Sequence, residues 1–323
     1  MDIFFYEAFE EETEALRSFL PDTIRAGFTE ATIQEAGHTE PPAKIVSLRT
    51  QSVIPVAWAG QMKALLSRST GYDHLADYRK LTGTSVALGY LPLYCARAVA
   101  EQALLLWLAL SRKLPRQTDQ FKNFNRDGIT GTECEGKNLL VVGVGNIGSE
   151  IVRIGKGLDM TVWGVDPDQK HDFVDYVDYD EKKAEADIMV CAMNLTAVNQ
   201  GYFNNERLSG IKPSALFINI ARGEISPPDV LLKKLKSGQL GGAGIDVYDA
   251  ESELAVALRT GESSPNPVVD SMLELQKLPN VICTPHNAFN TREAVMRKSE
   301  QSIQQAESFL QTGRFIWTVE SSG

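Results

Sequence analysis

The chain has 323 residues, of which 43% are hydrophobic and 23% charged, with a formal net charge of −10. That length and balance describe a globular chain of two domains, and no run approaches the roughly 18–20 apolar residues of a membrane span. The acidic balance and the absence of a basic stripe exclude nucleic acid and anionic membranes as expected partners.

Residues 2–6 are predicted as a strand, and the acidic segment 9–19 as a helix stopped by Pro21. The start, Met1-Asp2-Ile3-Phe4-Phe5, lacks a basic region ahead of an apolar core, so no secretory signal is expected. Residues 43–48, 64–67 and 85–88 are further strand candidates, with helical segments and turns between them. This first part is therefore an α/β unit in itself. Residues 96–114 read as a long helix that is apolar around most of its circumference, which implies burial against the protein or a second subunit. Pro115 is expected to end it, and the polar stretch 116–136 to form an irregular exposed arm.

From Lys137 onward the pattern becomes regular. Strands are predicted at 139–142, 160–164, 188–192, 215–220, 242–246 and 281–284, with helices between the first five. Their Val and Ile content fits strands buried on both faces of a parallel, doubly wound sheet. Residues 252–279 form a long insertion containing Gly261, Ser263, Ser264, Pro265 and Pro267, and much of it is expected to be loop. A terminal helix is predicted over 290–312, with Asn290 and Glu293 as a capping box and Gly313 as the stop.

The most informative stretch is L-L-V-V-G-V-G-N-I-G at 139–148. An apolar strand runs into Gly143, Gly145, Asn146, Ile147 and Gly148, the G-x-G-x-x-G spacing of a dinucleotide turn. Gly143 makes the tight turn, Gly145 admits a pyrophosphate close to the backbone, and Gly148 lets the next helix lie against the strand. The helix N-terminus offers free N–H groups and a positive dipole end to the phosphates. The acid expected about 20 residues further on is Asp166, suited to accept hydrogen bonds from both adenosine ribose hydroxyls. A carboxylate there repels a 2′-phosphate and favours NAD over NADP, although Lys170 is close enough in sequence to soften the effect.

The cofactor motif follows a complete α/β unit, so a second domain precedes the cofactor domain, and a cleft between the two is the expected active site. Of the four histidines, His38 and His171 lie in polar, loop-like surroundings and His74 near a helix start. His286 instead follows a predicted strand, as do Arg222 and Glu251. Open α/β sheets hold ligands at the carboxyl ends of their strands. One Arg, one Glu and one His at that edge of a dinucleotide-binding sheet point to acid–base chemistry beside a nicotinamide.

The motifs R-S-T-G-Y-D (68–73), L-P-L-Y-C-A-R-A-V-A-E (91–101), V-V-G-V-G-N-I-G (141–148), I-N-I-A-R-G (218–223), A-G-I-D-V-Y-D-A-E (243–251) and T-P-H-N-A-F-N-T (284–291) together resemble the D-isomer-specific 2-hydroxyacid dehydrogenases. Within that family the chain is most similar to the D-lactate dehydrogenase branch, on the Tyr94 context, the insertion after Glu251 and the run His286-Asn287-Ala288-Phe289. Many other branches carry Pro after the catalytic Glu, where this chain has Ser252.

The resemblance implies an α/β fold of two Rossmann-like domains, one flavodoxin-like and one dinucleotide-binding, with parallel sheets and a cleft between them. Residues 1–92, completed by 291–323, would form the substrate domain and 93–290 the NAD-binding domain, with hinges near Pro92 and Asn290. It implies that His286 is the acid–base histidine, Glu251 its carboxylate partner, and Arg222 the grip on the substrate carboxylate and carbonyl. Gly71 with Thr70 would hold the carboxylate through backbone N–H groups, Tyr94 and Phe289 would be pocket walls, and Arg49 would lie on a loop that faces the cleft. Ala221, like the glycine turn and Asp166, would contact the cofactor, and Asp246 would lie near the nicotinamide amide. Tyr72 is bulky beside Gly71 and would narrow the pocket.

The chemistry suits these residue types. A guanidinium reads an adjacent carboxylate and ketone bidentately and polarises the ketone. A carboxylate beside an imidazole fixes its tautomer and favours its protonated form. The expected function is reversible hydride transfer between NADH and a small 2-oxo acid, pyruvate and D-lactate favoured. Glyoxylate, hydroxypyruvate, a branched 2-oxo acid and 3-phosphoglycerate remain alternative substrates. The last would want more cations near the pocket, and only Arg49 offers itself. A non-catalytic NAD-sensing regulatory protein is the rival of a different class.

Cys95, Cys134, Cys191 and Cys283 lie far apart with no C-x-x-C pair, as expected for reduced thiols in a cytoplasmic protein with no metal site. The expected partners are the small substrate and a second copy of the chain, in a homodimer built through the cofactor domain.

Overall fold

The computed structural model describes residues 1–262 and 264–319; Ser263 of the insertion and residues 320–323 of the expected C-terminal segment lie outside the described residues. The chain separates into two compact units, Met1–Cys95 with Asn290–Gly323, and Ala96–Phe289.

The first unit alternates strand and helix: β1 (Ile3–Phe5), α1 (Glu10–Phe19), β2 (Ala26–Phe28), α2 (Ile33–Ala36), β3 (Ile45–Leu48), β4 (Ala64–Ser67), α3 (Asp73–Thr82) and β5 (Ala87–Gly89). The strands form one parallel sheet in the order β2-β1-β3-β4-β5, the flavodoxin-like arrangement. Ile3 lies between Ala26 and Ile45 in register, and Ile45 beside Ala64. Every residue of β3 and β4 is buried, Ser47 and Ser67 included, so neither strand shows the alternation of a sheet with one solvated face. The sequence pattern missed β2, a three-residue edge strand of half-buried residues that pairs only with β1. Beneath the sheet, Tyr6, Val46, Leu48, Trp58, Leu65, Leu75 and Leu88 form one apolar cluster.

The second unit begins with α4 (Ala96–Ser111) and α5 (Leu114–Gln120). The long helix therefore stops before Pro115, which opens α5 instead of ending α4. Proline is favoured in a first helical turn because its missing N–H has no intrahelical partner there. The expected irregular arm is thus helical at its start, and Leu114, Phe121 and Phe124 on it are exposed. Nor is α4 buried all round, since Leu105 faces solvent.

There follow β6 (Asn138–Val142), α6 (Asn146–Gly157), β7 (Thr161–Val165), β8 (Asp175–Tyr176), α7 (Tyr179–Lys182), β9 (Ile188–Cys191), β10 (Leu216–Asn219), α8 (Pro228–Lys236), β11 (Gly242–Ile245), α9 (Glu251–Thr260), α10 (Pro267–Leu275) and β12 (Val281–Cys283). They build a seven-stranded parallel sheet, β12-β11-β10-β9-β6-β7-β8. The chain steps outward from β6 to β8, returns to lay β9 beside β6, and proceeds to β12. That reversal is the switch point at which such sheets bind ligands. Strand β8 is two residues long, too short for a periodic signal.

Two expectations fail here. No helix separates β9 from β10 among the described residues. Turns carry the chain instead, tied down where Gly201 and Phe203 donate their N–H groups to the carbonyls of Glu224 and Ile225, which seats Phe203 in the core. The insertion is mainly helix rather than loop. Leu254 and Ala257 of α9, with Val269, Met272 and Leu275 of α10, join the unit's core, and the Asn266 side chain caps α10 just ahead of Pro267. Apolar periodicity outweighed Gly261, Ser264 and Pro265, which fall between the two helices, and Pro267, which opens α10.

The last helix, α11 (Arg292–Thr312), returns to the first unit and packs on α1. Its cap is Thr291, whose hydroxyl accepts from the Ala294 N–H, rather than Asn290. Gly313, at φ 74°, closes it. An antiparallel bridge then pairs Thr318 with Gly89.

Candidate active site

The glycine turn lies between β6 and α6. Gly143 sits at φ +92°, a conformation that L side chains rarely adopt, and a Cβ there would lie 2.6 Å from the Met193 nitrogen. A Cβ on Gly148 would lie 2.0 Å from the Gly143 carbonyl, so only glycine lets α6 start this close to its own strand. Gly145 differs: nothing lies within 4 Å of where its Cβ would be, and it is exposed together with Asn146, while Ile147 is half-buried. Tight packing at the outer two glycines and open space at the middle one fit a turn built for a pyrophosphate. Asp166 follows β7, next to this turn. Its carboxylate accepts the Val144 N–H at 2.7 Å and the Asp168 N–H at 2.9 Å, which holds it rigidly beside the turn. Lys170 is paired with Asp168 at 2.7 Å, on the exposed surface. These residues fit an adenosine dinucleotide.

Three later strand ends of the same sheet bring up the residues expected to do acid–base chemistry. The His286 Nδ1 lies 2.8 Å from Glu251 Oε2. Both residues are aimed by unusual backbone, since Ala250 and His286 have φ of 54° and 50°. Such left-handed conformations in non-glycine residues cost about 1–3 kcal/mol and persist only where surroundings enforce them. Around His286 the enforcement comes from Asp246. Its carboxylate, fully buried at the end of β11, accepts the Thr284 hydroxyl at 2.5 Å, the Asn287 N–H at 3.0 Å and the Ala288 N–H at 2.9 Å. Burial pushes the Asp246 carboxyl above the usual carboxylate range, with the three hydrogen bonds opposing. The Asp246 side chain is thus occupied in holding the histidine loop. Phe289 closes that loop with its ring edge-to-face to His286, centroids 6.3 Å apart.

Arg222 follows β10, and its guanidinium donates to the Ala221 carbonyl at 2.8 Å. Buried Asn219 ties this loop by donating to the Arg222 carbonyl and accepting the Ala221 N–H. Gly223 lets it pass close to the loop ahead of Glu251, for a Cβ there would lie 1.9 Å from the Asp249 nitrogen. The second unit therefore brings the Arg222 and Glu251 loops into contact, with His286 paired to Glu251.

The remaining predicted residues belong to the first unit. Thr70 donates its hydroxyl to the Leu91 carbonyl and lies 3.3 Å from Cys95 Sγ. The Gly71 carbonyl accepts the Ser69 hydroxyl at 2.6 Å. Tyr94 is buried, which pushes its hydroxyl well above the usual phenol range, and its carbonyl accepts from Arg297. Arg49 is half-buried, with its guanidinium over the Phe9 ring at 5.7 Å and its N–H donated to Glu7. Tyr72 is partly exposed and stacks edge-on to Tyr90. Glu12, Arg68 and Lys298, which no sequence pattern had marked, gather at this same edge. Arg68 was visible only as the first residue of R-S-T-G-Y-D. Nothing in the sequence links it to residues 56 places before and 230 places after it (68 − 12 and 298 − 68).

Fold and glycine turn together define a class, the proteins with a dinucleotide-binding α/β domain. The comparisons with known proteins give the family. Residues 104–288 match the family described as D-isomer specific 2-hydroxyacid dehydrogenase, NAD binding domain. The chain is 30% identical over 263 residues to 2-hydroxyacid dehydrogenase A of Aspergillus oryzae, which covers 80% of this chain and 75% of that one. To the D-lactate dehydrogenase of Escherichia coli it is 30% identical over 252 residues, 75% of this chain and 74% of that one. Among solved structures it is similar to the D-lactate dehydrogenase of Aquifex aeolicus complexed with NAD and lactic acid, with a TM-score of 0.82 and 26% identity over 98% of this chain and 99% of that one. This chain belongs to the D-isomer specific 2-hydroxyacid dehydrogenase family; it is an NAD-dependent oxidoreductase.

Proposed function

We propose that the chain interconverts a small 2-oxo acid and the matching D-2-hydroxy acid, with pyruvate and D-lactate as the reference pair. The observation that carries this reading is the His286–Glu251 contact of 2.8 Å on the sheet that bears the dinucleotide turn. Bound NADH supplies the hydride. With Glu251 accepting at Nδ1, the imidazole presents Nε2 to the substrate. His286 then donates its proton to the oxygen on which charge grows during reduction, and takes it back in oxidation. Arg222 grips the carboxylate and polarises the adjacent carbonyl. Thr70 and Gly71 are assigned to hold a substrate carboxylate through backbone N–H groups, and Tyr94, Phe289 and Arg49 to substrate binding. Cofactor contacts fall to Gly143, Gly145, Asn146, Ile147, Gly148, Asp166 and Ala221, with Asp246 acting through the histidine loop.

The protein works in this reading as a homodimer in a reducing, cytoplasmic compartment. Four free cysteines support the compartment, and the exposed Leu105, Phe121 and Phe124 of the second unit support self-association. Among the described residues no helix is long and apolar enough to cross a membrane and no cluster of His, Cys, Asp and Glu could hold a metal ion. The test is NADH oxidation with a panel of 2-oxo acids. Turnover yielding only the D-hydroxy product is expected, and no turnover with any member would overturn the reading.

A further inference from the structure

Tyr248 follows β11, between Asp246 and Glu251, at the point where the pairing of β11 with β12 ends. Ile245 and Cys283 are the last residues in register, and the next N–H, that of Thr284, still donates to the Ile245 carbonyl at 2.9 Å. Beyond it the two chains lead separately to Glu251 and to His286. The Tyr248 hydroxyl spans this fork. It lies 2.6 Å from the Thr284 carbonyl and 3.1 Å from the Ile245 carbonyl. A phenol has one proton to donate, so the shorter contact is the principal bond.

Thr284 leads directly into His286. Its carbonyl also accepts the His286 N–H at 2.9 Å, which closes a three-residue turn centred on Pro285. The pyrrolidine ring fixes φ in the range that such a turn requires. The Thr284 hydroxyl donates to Asp246 at 2.5 Å and accepts from Gln102 of α4 at 3.3 Å. Asp246 therefore holds the Thr284 side chain and, through the Asn287 and Ala288 N–H groups, the chain after His286. The peptide between Thr284 and Pro285 turns on its carbonyl oxygen, and the Tyr248 hydroxyl anchors that oxygen from outside the loop.

The main chain at Tyr248 has a second contact. A Cβ on Gly223 would lie 2.0 Å from the Tyr248 carbonyl carbon and 2.5 Å from its Cα, so the loop that bears Arg222 rests on this backbone. The Tyr248 ring packs against the core of the second unit, a task that phenylalanine would perform as well. What the hydroxyl adds is direction rather than packing.

We infer that Tyr248 is a positioning residue for the proton transfer: its hydroxyl fixes the Thr284 carbonyl and, through the Pro285 turn, the aim of the His286 imidazole. The inference rests on the dehydrogenase reading and deepens it. His286 stands at φ 50°, a backbone conformation that persists only where its surroundings enforce it, so a loosened turn lets the ring relax away from Glu251. Arg222 is seated by the Gly223 contact and by Asn219, neither of which uses the hydroxyl. Loss of the hydroxyl should therefore reach the proton donor and spare the substrate grip.

The test is Tyr248→Phe, assayed with NADH and pyruvate, or with the fastest acid of the 2-oxo acid panel if pyruvate is not turned over. Rates are taken per NADH site, counted by fluorescence titration, so that partial unfolding does not imitate the effect. Misplacing a proton donor without removing it should lower kcat about tenfold, with KM for the acid and the NADH Kd within about twofold of the unmodified values. The decisive arm places Tyr248→Phe in a His286→Ala background. There it should change the residual kcat by less than about twofold, because no imidazole is left to aim. An unchanged kcat in the single variant, an effect carried by KM alone, or the same loss of kcat in both backgrounds would overturn the inference and leave the dehydrogenase reading standing. No turnover of any 2-oxo acid by the unmodified protein would remove both.

Discussion

At the carboxyl edge of the second unit's sheet, the His286 and Glu251 side chains are 28% and 44% exposed, and each sits on a loop shaped by its own backbone. At the matching edge of the first unit, the Arg68, Glu12 and Lys298 side chains are 0%, 4% and 2% exposed and hold one another through ionic contacts. Both sheets are parallel and both concentrate polar groups where strands end, yet the means are opposite. In the second unit, strain and buried hydrogen bonds position the groups proposed above to exchange a proton with substrate. In the first unit, charge is removed from water and stored, so its influence is that of a scaffold rather than a reacting group. A site proposed to perform proton transfer needs partial access; an ion cluster that holds helices and strand together does not.

The largest expected separation between the two edges comes from removing the reacting group. His286→Ala should lower kcat by roughly 10²- to 10⁴-fold, while NADH binding, followed by its fluorescence, stays near normal and the unfolding midpoint hardly moves. Near-normal turnover would take His286 out of the mechanism. At the other edge the damage should fall on stability. Glu12→Gln leaves two buried cations without their carboxylate, and breaking such a pair costs about 3–5 kcal/mol, readable as a lower denaturant midpoint. A midpoint unchanged in that variant would show that the ion triad does not hold the first unit together.

A smaller effect is carried by pH. Burial pushes the Glu12 carboxyl up, but Arg68 and Lys298 overcome this and bring it down to about 2 when folded, against 4.5 as the ordinary value. A group depressed in the folded state stabilises it fully above its unfolded value and loses that contribution as pH falls toward the folded value. The stability gap between the unmodified protein and Glu12→Gln should therefore be widest above about pH 4.5 while Lys298, drawn down by burial to about 8, keeps its charge, and shrink below pH 4.5 as the native side chain takes up a proton and comes to resemble glutamine. A gap that does not narrow with acid would assign the stabilisation to packing. Smallest of all should be Asp166→Ser. It removes the negative charge beside the glycine turn and should narrow the preference for NADH over NADPH, measured as the ratio of kcat/KM values. An unchanged ratio would mean that Asp166 serves only to hold Val144 and Asp168.

The second unit was far more legible from sequence than the first. The glycine turn, Asp166, Arg222, Glu251 and His286 are local signals, each a short motif at the end of an apolar strand. The misread details were those where two local rules compete. Pro115 reads as a stop although it equally well starts a helix, and the Gly, Ser and Pro residues after Glu251 mask two helices with apolar faces. Thr291 displaced Asn290 as the cap of the last helix, a difference of one residue between two side chains that can both accept from a helix N-terminus.

Family and cofactor type follow from the order of residues along the chain, as do the candidates proposed for acid–base chemistry, because strand, turn and helix N-terminus are consecutive and the candidates sit within a few residues of them. The partners that aim this chemistry do not follow from that order. Asp246 reaches the Asn287 and Ala288 N–H groups across 41 and 42 residues, and Glu12 meets Arg68 and Lys298 only after the last helix has returned to pack on α1. Single charged residues on amphipathic helices read as solvated surface until tertiary packing closes over them. Burial and the net charge of a cluster are properties of an assembled interior, and only the folded structure decides them.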